Sequence, residues 1–145
     1  MMQRRRVIKP LLNSQKKVLR EIAAQDGQWS KATTRVGRFV ECYIVAEALA
    51  RRLIAIKLGR QCPQTLSFTS IQSATKSLGL SSNISPELIE QVFRSGELQR
   101  SNNTPRQLRN AIIHGLSDKA CHEVNEYSVR LMKLMQRWLQ HFASI

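Results

Sequence analysis

Within the stretch Arg106-Gln-Leu-Arg-Asn-Ala-Ile-Ile-His-Gly-Leu116 stand four side chains able to handle phosphate and protons: Arg106, Arg109, Asn110 and His114. Arginine stays charged and offers a planar fork to phosphate oxygens, whereas histidine titrates near neutrality and can take or give a proton. Advanced at about 100° per residue, Leu108, Ala111, Ile112 and Leu116 gather on one side of a helix, the expected core face. Arg106, Arg109, Asn110 and His114 share the other side, with Ile113 in their midst.

That set suits cleavage of RNA by its own 2′-hydroxyl. The reaction needs a proton taken from the nucleophile, another given to the leaving oxygen, and charge stabilised on phosphorus. His114 is the expected proton-transfer group and Arg109 the group facing the phosphorane, leaving a 2′,3′-cyclic phosphate and a 5′-hydroxyl. One histidine per chain is too few for both proton roles. A two-fold homodimer with Ile113 as its dry contact brings two arginines and two histidines into one cleft. Asn110, one turn before His114, is positioned to orient the imidazole. Each residue also has a plainer reading: an isolated exposed isoleucine needs no explanation, Asn110 suits a solvated helix face, and a histidine near a helix C-terminus complements the dipole.

The elements that must position this face read as helices throughout, with no sustained two-residue alternation. Thr104-Pro105-Arg106-Gln107 combines a cap, a proline in the first turn and a glutamine three residues after the cap. A final helix capped by Ser117 or Asp118 is expected to carry Ala120, Val124, Tyr127, Leu131, Leu134, Trp138 and Phe142 inward. Earlier, Asn13 or Ser14 can start a helix that ends at Asp26-Gly27. A long central helix runs from about Lys31 to Leu58, stopped by Gly59. Ser67 or Thr69 starts a short helix ended by Gly79, and Ser85-Pro86-Glu87 starts another that runs to about Arg94. The expectation is an all-α, compact bundle of four to six helices forming a single domain over residues 1–145, with a basic tail at 1–12. Glu47, alone in the apolar run CYIVAEALA, either pairs with Arg109 or Arg106 in support of the site or lies at an edge with Arg51 at i+4.

The formal net charge is +13, and residues 1–60 hold 14 of the 23 lysines and arginines against 4 of the 10 acids. Such a field attracts polyanions, so RNA is the expected partner, with Arg4, Arg5, Arg6, Lys16, Lys17 and Arg106 as candidate phosphate contacts. Three cysteines without a CxxC pair suit a reducing cytoplasm, and no apolar run is long enough for a membrane span. Cys121-His122 and His114 lack zinc spacing, and there is neither an acidic cluster for magnesium nor a glycine-rich phosphate loop. No metal or other cofactor is expected.

The run Arg109-Asn110-Ala111-Ile112-Ile113-His114 resembles the Arg-x4-His signature of the HEPN superfamily (higher eukaryotes and prokaryotes nucleotide-binding domains). The likeness extends as a helical pattern from about Lys31 to Phe142. It implies an α-helical, often dimeric bundle and a metal-independent endoribonuclease, a toxin or defence effector held in check by an antitoxin or acting within a larger defence complex. Carried onto this chain, Arg109 and His114 would be catalytic, and Asn110 would match the polar residue that often follows the arginine. Family members paired with a nucleotidyltransferase antitoxin carry His-x-Tyr. Here the sequence is His114-Gly115-Leu116, which speaks against silencing by nucleotide addition to a tyrosine. A non-catalytic module of the same type, binding RNA or protein, is the alternative.

Overall fold

A computed structural model describes residues 8–28, 31–99 and 102–145. Arg4, Arg5 and Arg6 lie outside the described residues. Among those described there are seven α-helices and no strand: α1 (Asn13–Ala23), α2 (Arg35–Leu58), α3 (Phe68–Ser77), α4 (Pro86–Phe93), α5 (Pro105–Gly115), α6 (Asp118–Glu126) and α7 (Ser128–Ala143). The fold is all-α as expected, and the seventh helix arises because the expected final helix is two. At Tyr127 the backbone departs from helical geometry, φ −108° and ψ 25°, which ends α6 one residue before α7 begins at Ser128.

Most boundaries follow local chemistry. Ser67, Ser85 and Ser117 each accept a backbone N–H at the start of α3, α4 and α6. Thr34 does so for α2, accepting from Gly37, so that helix begins at Arg35 rather than near Lys31. α1 differs from expectation: neither Asn13 nor Ser14 caps it, and instead Gln15 Oε1 accepts the Leu12 N–H at 2.8 Å. Gly59, at φ +65°, closes α2 in the left-handed region that glycine adopts without a Cβ penalty.

α2 is the shared wall of the bundle, packing against α1, α3, α5, α6 and α7. Its apolar residues are buried on almost every side, among them Phe39, Cys42, Tyr43, Ala46, Leu49 and Leu53. A row of aromatic rings runs through the core across α2, α4 and α7. Tyr43 and Phe93 are 6.3 Å apart, Phe93 and Trp138 5.2 Å, and Trp138 and Phe142 4.9 Å, the last two pairs edge-on. Edge-on pairs add about 1 kcal/mol each beyond the area they bury. The buried indole N–H of Trp138 donates to the Ala46 carbonyl at 3.0 Å, tying α7 to the middle of α2.

Arginines close several chain and helix ends by donating to backbone carbonyls: Arg20 to Ile145, Arg35 to Asn125, Arg94 to Asn102 and Arg106 to Phe93. The described part of the expected basic tail is likewise part of the fold. The Lys9 N–H donates to Ser77 at 2.9 Å and Leu11 is buried. Among the described residues no helix is long and apolar enough to cross a membrane.

Candidate functional site

α5 is fixed first at its N-terminus. The Thr104 hydroxyl oxygen accepts the Gln107 N–H at 3.2 Å, and Gln107 Oε1 accepts the Thr104 N–H at 2.9 Å, the reciprocal cap read from the sequence. The same two side chains also bind the preceding segment: the Thr104 hydroxyl donates to the Arg94 carbonyl, and the Gln107 amide to that of Glu97.

Next to this cap lies a buried pair that sequence reading missed. Asn103 Nδ2 donates to both Glu123 carboxylate oxygens, at 2.9 and 3.0 Å, and to the Gln99 carbonyl, while Asn103 Oδ1 accepts the Gln99 N–H at 2.7 Å. The pair ties the loop before α5 to α6. No periodicity marks it, because its two members lie twenty positions apart and on different elements.

The outer face of α5 begins with Arg109, half-buried, whose guanidinium carbon stands 5.8 Å from the centre of the Tyr43 ring. A cation over an aromatic face is held by the ring quadrupole. Arg109 Nη1 donates to Asn110 Oδ1 at 3.2 Å, and its Nε is buried with no partner among the described residues. The hydroxyl of Tyr43 donates to Glu47 Oε1 at 3.3 Å, and Glu47 Oε2 lies 3.6 Å from Arg51 Nε. Burial, followed by the Glu47 charge, pushes the Tyr43 phenol well above its ordinary value, while Arg106 and Arg109 pull the other way. Both arginines of α5 therefore act on one buried phenol.

Of the two partners open to Glu47, the ion pair is with Arg51 at i+4, and among the described residues Glu47 meets the Arg109 environment through Tyr43. Two expectations change. The amide of Asn110 engages Arg109 rather than His114, since its oxygen is the acceptor for that guanidinium. Leu116, assigned to the core face, is 83% exposed and is the C-cap of α5 at φ +46°, because the helix ends before the wheel can bring it inward. Leu108 and Ile112 are buried as expected.

Ile113 is 48% exposed, and His114 beside it is exposed with no hydrogen-bond partner among the described residues. Arg106 is half-buried and its guanidinium is bound to the end of α4. Lys16 and Lys17 sit on α1, which packs on α2 and α7, whereas α5 packs on α2, α4 and α6. The expected phosphate contacts thus divide between separate elements.

The remaining titratable groups lie elsewhere. Burial, reinforced by Asp26, pushes the Cys42 thiol up to about 12. Burial and then the charge of Arg137 lower His141 from its ordinary value. His122 is exposed and lies 3.5 Å from Glu126. Comparison of the chain with protein-family models, with curated proteins and with solved structures found no match.

Proposed function

We propose that the protein is a metal-independent endoribonuclease of the HEPN type, working as a homodimer through Arg109 and His114, and that it serves as a toxin or defence effector in the cytoplasm. The observation that carries this reading is Arg109, held against Tyr43 and bonded to Asn110, on the same outer face of α5 as the exposed His114 and Ile113. An arginine held by a ring and an amide oxygen costs less to order against a phosphate, and a histidine open to solvent is accessible to one. Joining two such faces through Ile113 would supply two histidines for the two proton transfers and shield the cleft with apolar surface. In that role Tyr43 and Asn110 are positioning residues for Arg109, and Glu47 acts one contact further out.

One observation favours the second reading, a module that binds RNA without cutting it. His114 has no neighbour among the described residues to fix its tautomer, as general acid–base catalysis ordinarily requires. A single assay separates the two. Total RNA is incubated in EDTA with the native protein, Arg109→Ala and His114→Ala, and the product ends are analysed. The ribonuclease reading expects cleavage by the native protein alone, with 2′,3′-cyclic phosphate and 5′-hydroxyl ends. Binding by all three without cleavage supports the second reading. Cleavage leaving 3′-hydroxyl and 5′-phosphate ends contradicts the proposed chemistry.

A further inference from the structure

We propose that the groove between the C-terminal half of α2 and the loop 60–64 is a second RNA-backbone site, which holds a single strand beside the α5 face. The proposal rests on the reading that RNA is what the protein engages. The groove has a volume of about 1130 Å³ and is lined by Arg51, Arg52 and Arg60 together with apolar groups such as Ile22, Ala55 and Ile56. Among the described residues, no carboxylate and no aromatic ring contributes to its lining.

The three arginines divide their work. Arg51 is committed to the scaffold: it pairs with Glu47 and donates to the carbonyls of Pro63 and Gln64 at 3.2 to 3.3 Å, which holds the loop as a fixed wall. Arg52 and Arg60 are exposed and have no hydrogen-bond or ion-pair partner among the described residues. Two free guanidinium groups at the mouth of a concave, carboxylate-free surface are complementary to successive phosphates. The C-terminus of α2 contributes about half a negative charge, which the two full positive charges outweigh.

Two features narrow the occupant. No described residue offers an aromatic platform here, so recognition falls on the backbone and is independent of sequence. Tyr43, Glu47 and Arg51 follow one another at four-residue steps on α2, so a single stripe leads from beneath Arg109 to the groove wall. Eight residues at about 1.5 Å each span roughly 12 Å, within reach of a single bound strand.

The test is fluorescence anisotropy with a short labelled oligoadenylate in EDTA, using the full chain carrying His114→Ala so that no cleavage intervenes. Arg52→Gln with Arg60→Gln is compared with Lys119→Gln with Lys133→Gln, which removes the same charge from exposed positions elsewhere. Thermal melts check that both pairs remain folded. The groove pair is expected to weaken binding by about tenfold and to reduce the slope of log K against log salt by about 1.4, two phosphates' worth for a single strand. The control pair should change affinity by less than about threefold. Equal weakening by both pairs, unchanged binding by the groove pair, or no binding of the oligonucleotide by the parent overturns the proposal. Absence of cleavage by the native protein, with the groove effect intact, refutes the ribonuclease reading and leaves this site standing.

Discussion

Replacing Asn103 with alanine tests how the loop before α5 is held. Asn103 is 1% exposed and Glu123 8%, so the carboxylate that loses the amide cannot simply turn to water. The two bonds to the Gln99 backbone are worth about 1 kcal/mol each at most, and less if the exposed Gln99 segment rehydrates. The contact with the Glu123 carboxylate is charge-assisted, and leaving that group unsatisfied costs roughly 2 kcal/mol. The expected loss is about 3 kcal/mol, a large share of a stability that for such domains totals roughly 5–15 kcal/mol. At roughly 3 °C per kcal/mol for a chain of this size, Tm falls by about 10 °C. Urea unfolding followed by circular dichroism measures the loss as a shift in midpoint at unchanged slope. Adding Glu123→Leu to Asn103→Ala removes the stranded charge and should recover at least about 1 kcal/mol, because removing both partners of a buried polar pair costs less than removing one. An Asn103→Ala variant within about 0.5 kcal/mol of the native protein, or a double variant whose loss equals the sum of the singles, refutes the reasoning.

Two further outcomes are open to the same assay. Leu116→Gly should stabilise the protein by about 0.5–1 kcal/mol, since Leu116 caps α5 at φ +46° with an exposed side chain; a lower urea midpoint would contradict this. Cys42 and Tyr43 both stay protonated to higher pH when folded than when unfolded, so the folded state holds more protons over that range and stability falls as pH rises. The loss begins near the ordinary thiol value of 9.0 and continues toward about 12. Urea midpoints between pH 8 and about 10.5 should therefore decline, and Cys42→Ala should flatten the decline; identical slopes for the two proteins would count against it. At pH 8, iodoacetamide followed by mass spectrometry should label Cys62 and Cys121 well before buried Cys42, and the reverse order would show that the core opens readily.

Local signals carried most of the fold. Ser85-Pro86 and Thr104-Pro105 with Gln107 mark helix starts that recur at those residues, because capping depends on side chains within three positions of the backbone they serve. The break at Tyr127 left no such mark. The apolar stripe runs from buried Val124 to buried Leu131 without a glycine or proline, so periodicity reads straight through it. Leu116 shows the complementary error, a helical wheel extended past the point where the backbone stops being helical. For the candidate site, the division of α5 into a buried Leu108–Ile112 side and an outer Arg109–Ile113–His114 side was legible from spacing alone. The partners of its polar groups were not. Which group Asn110, Glu47 or Asn103 meets depends on how distant elements cross, and helical periodicity holds no record of that.

The arginines that donate to backbone carbonyls bear on how this chain could vary. Arg20, Arg35, Arg51, Arg94 and Arg106 each join a segment to a distant one through a guanidinium that lysine, with its single compact head, does not reproduce. Part of the positive charge is thus also mortar. Neutralising it to lower non-specific attraction would withdraw cross-links at the same positions, so the molecule's electrostatics and its architecture must drift together. The cations open to independent change are those outside that network, such as Arg52 and Arg60.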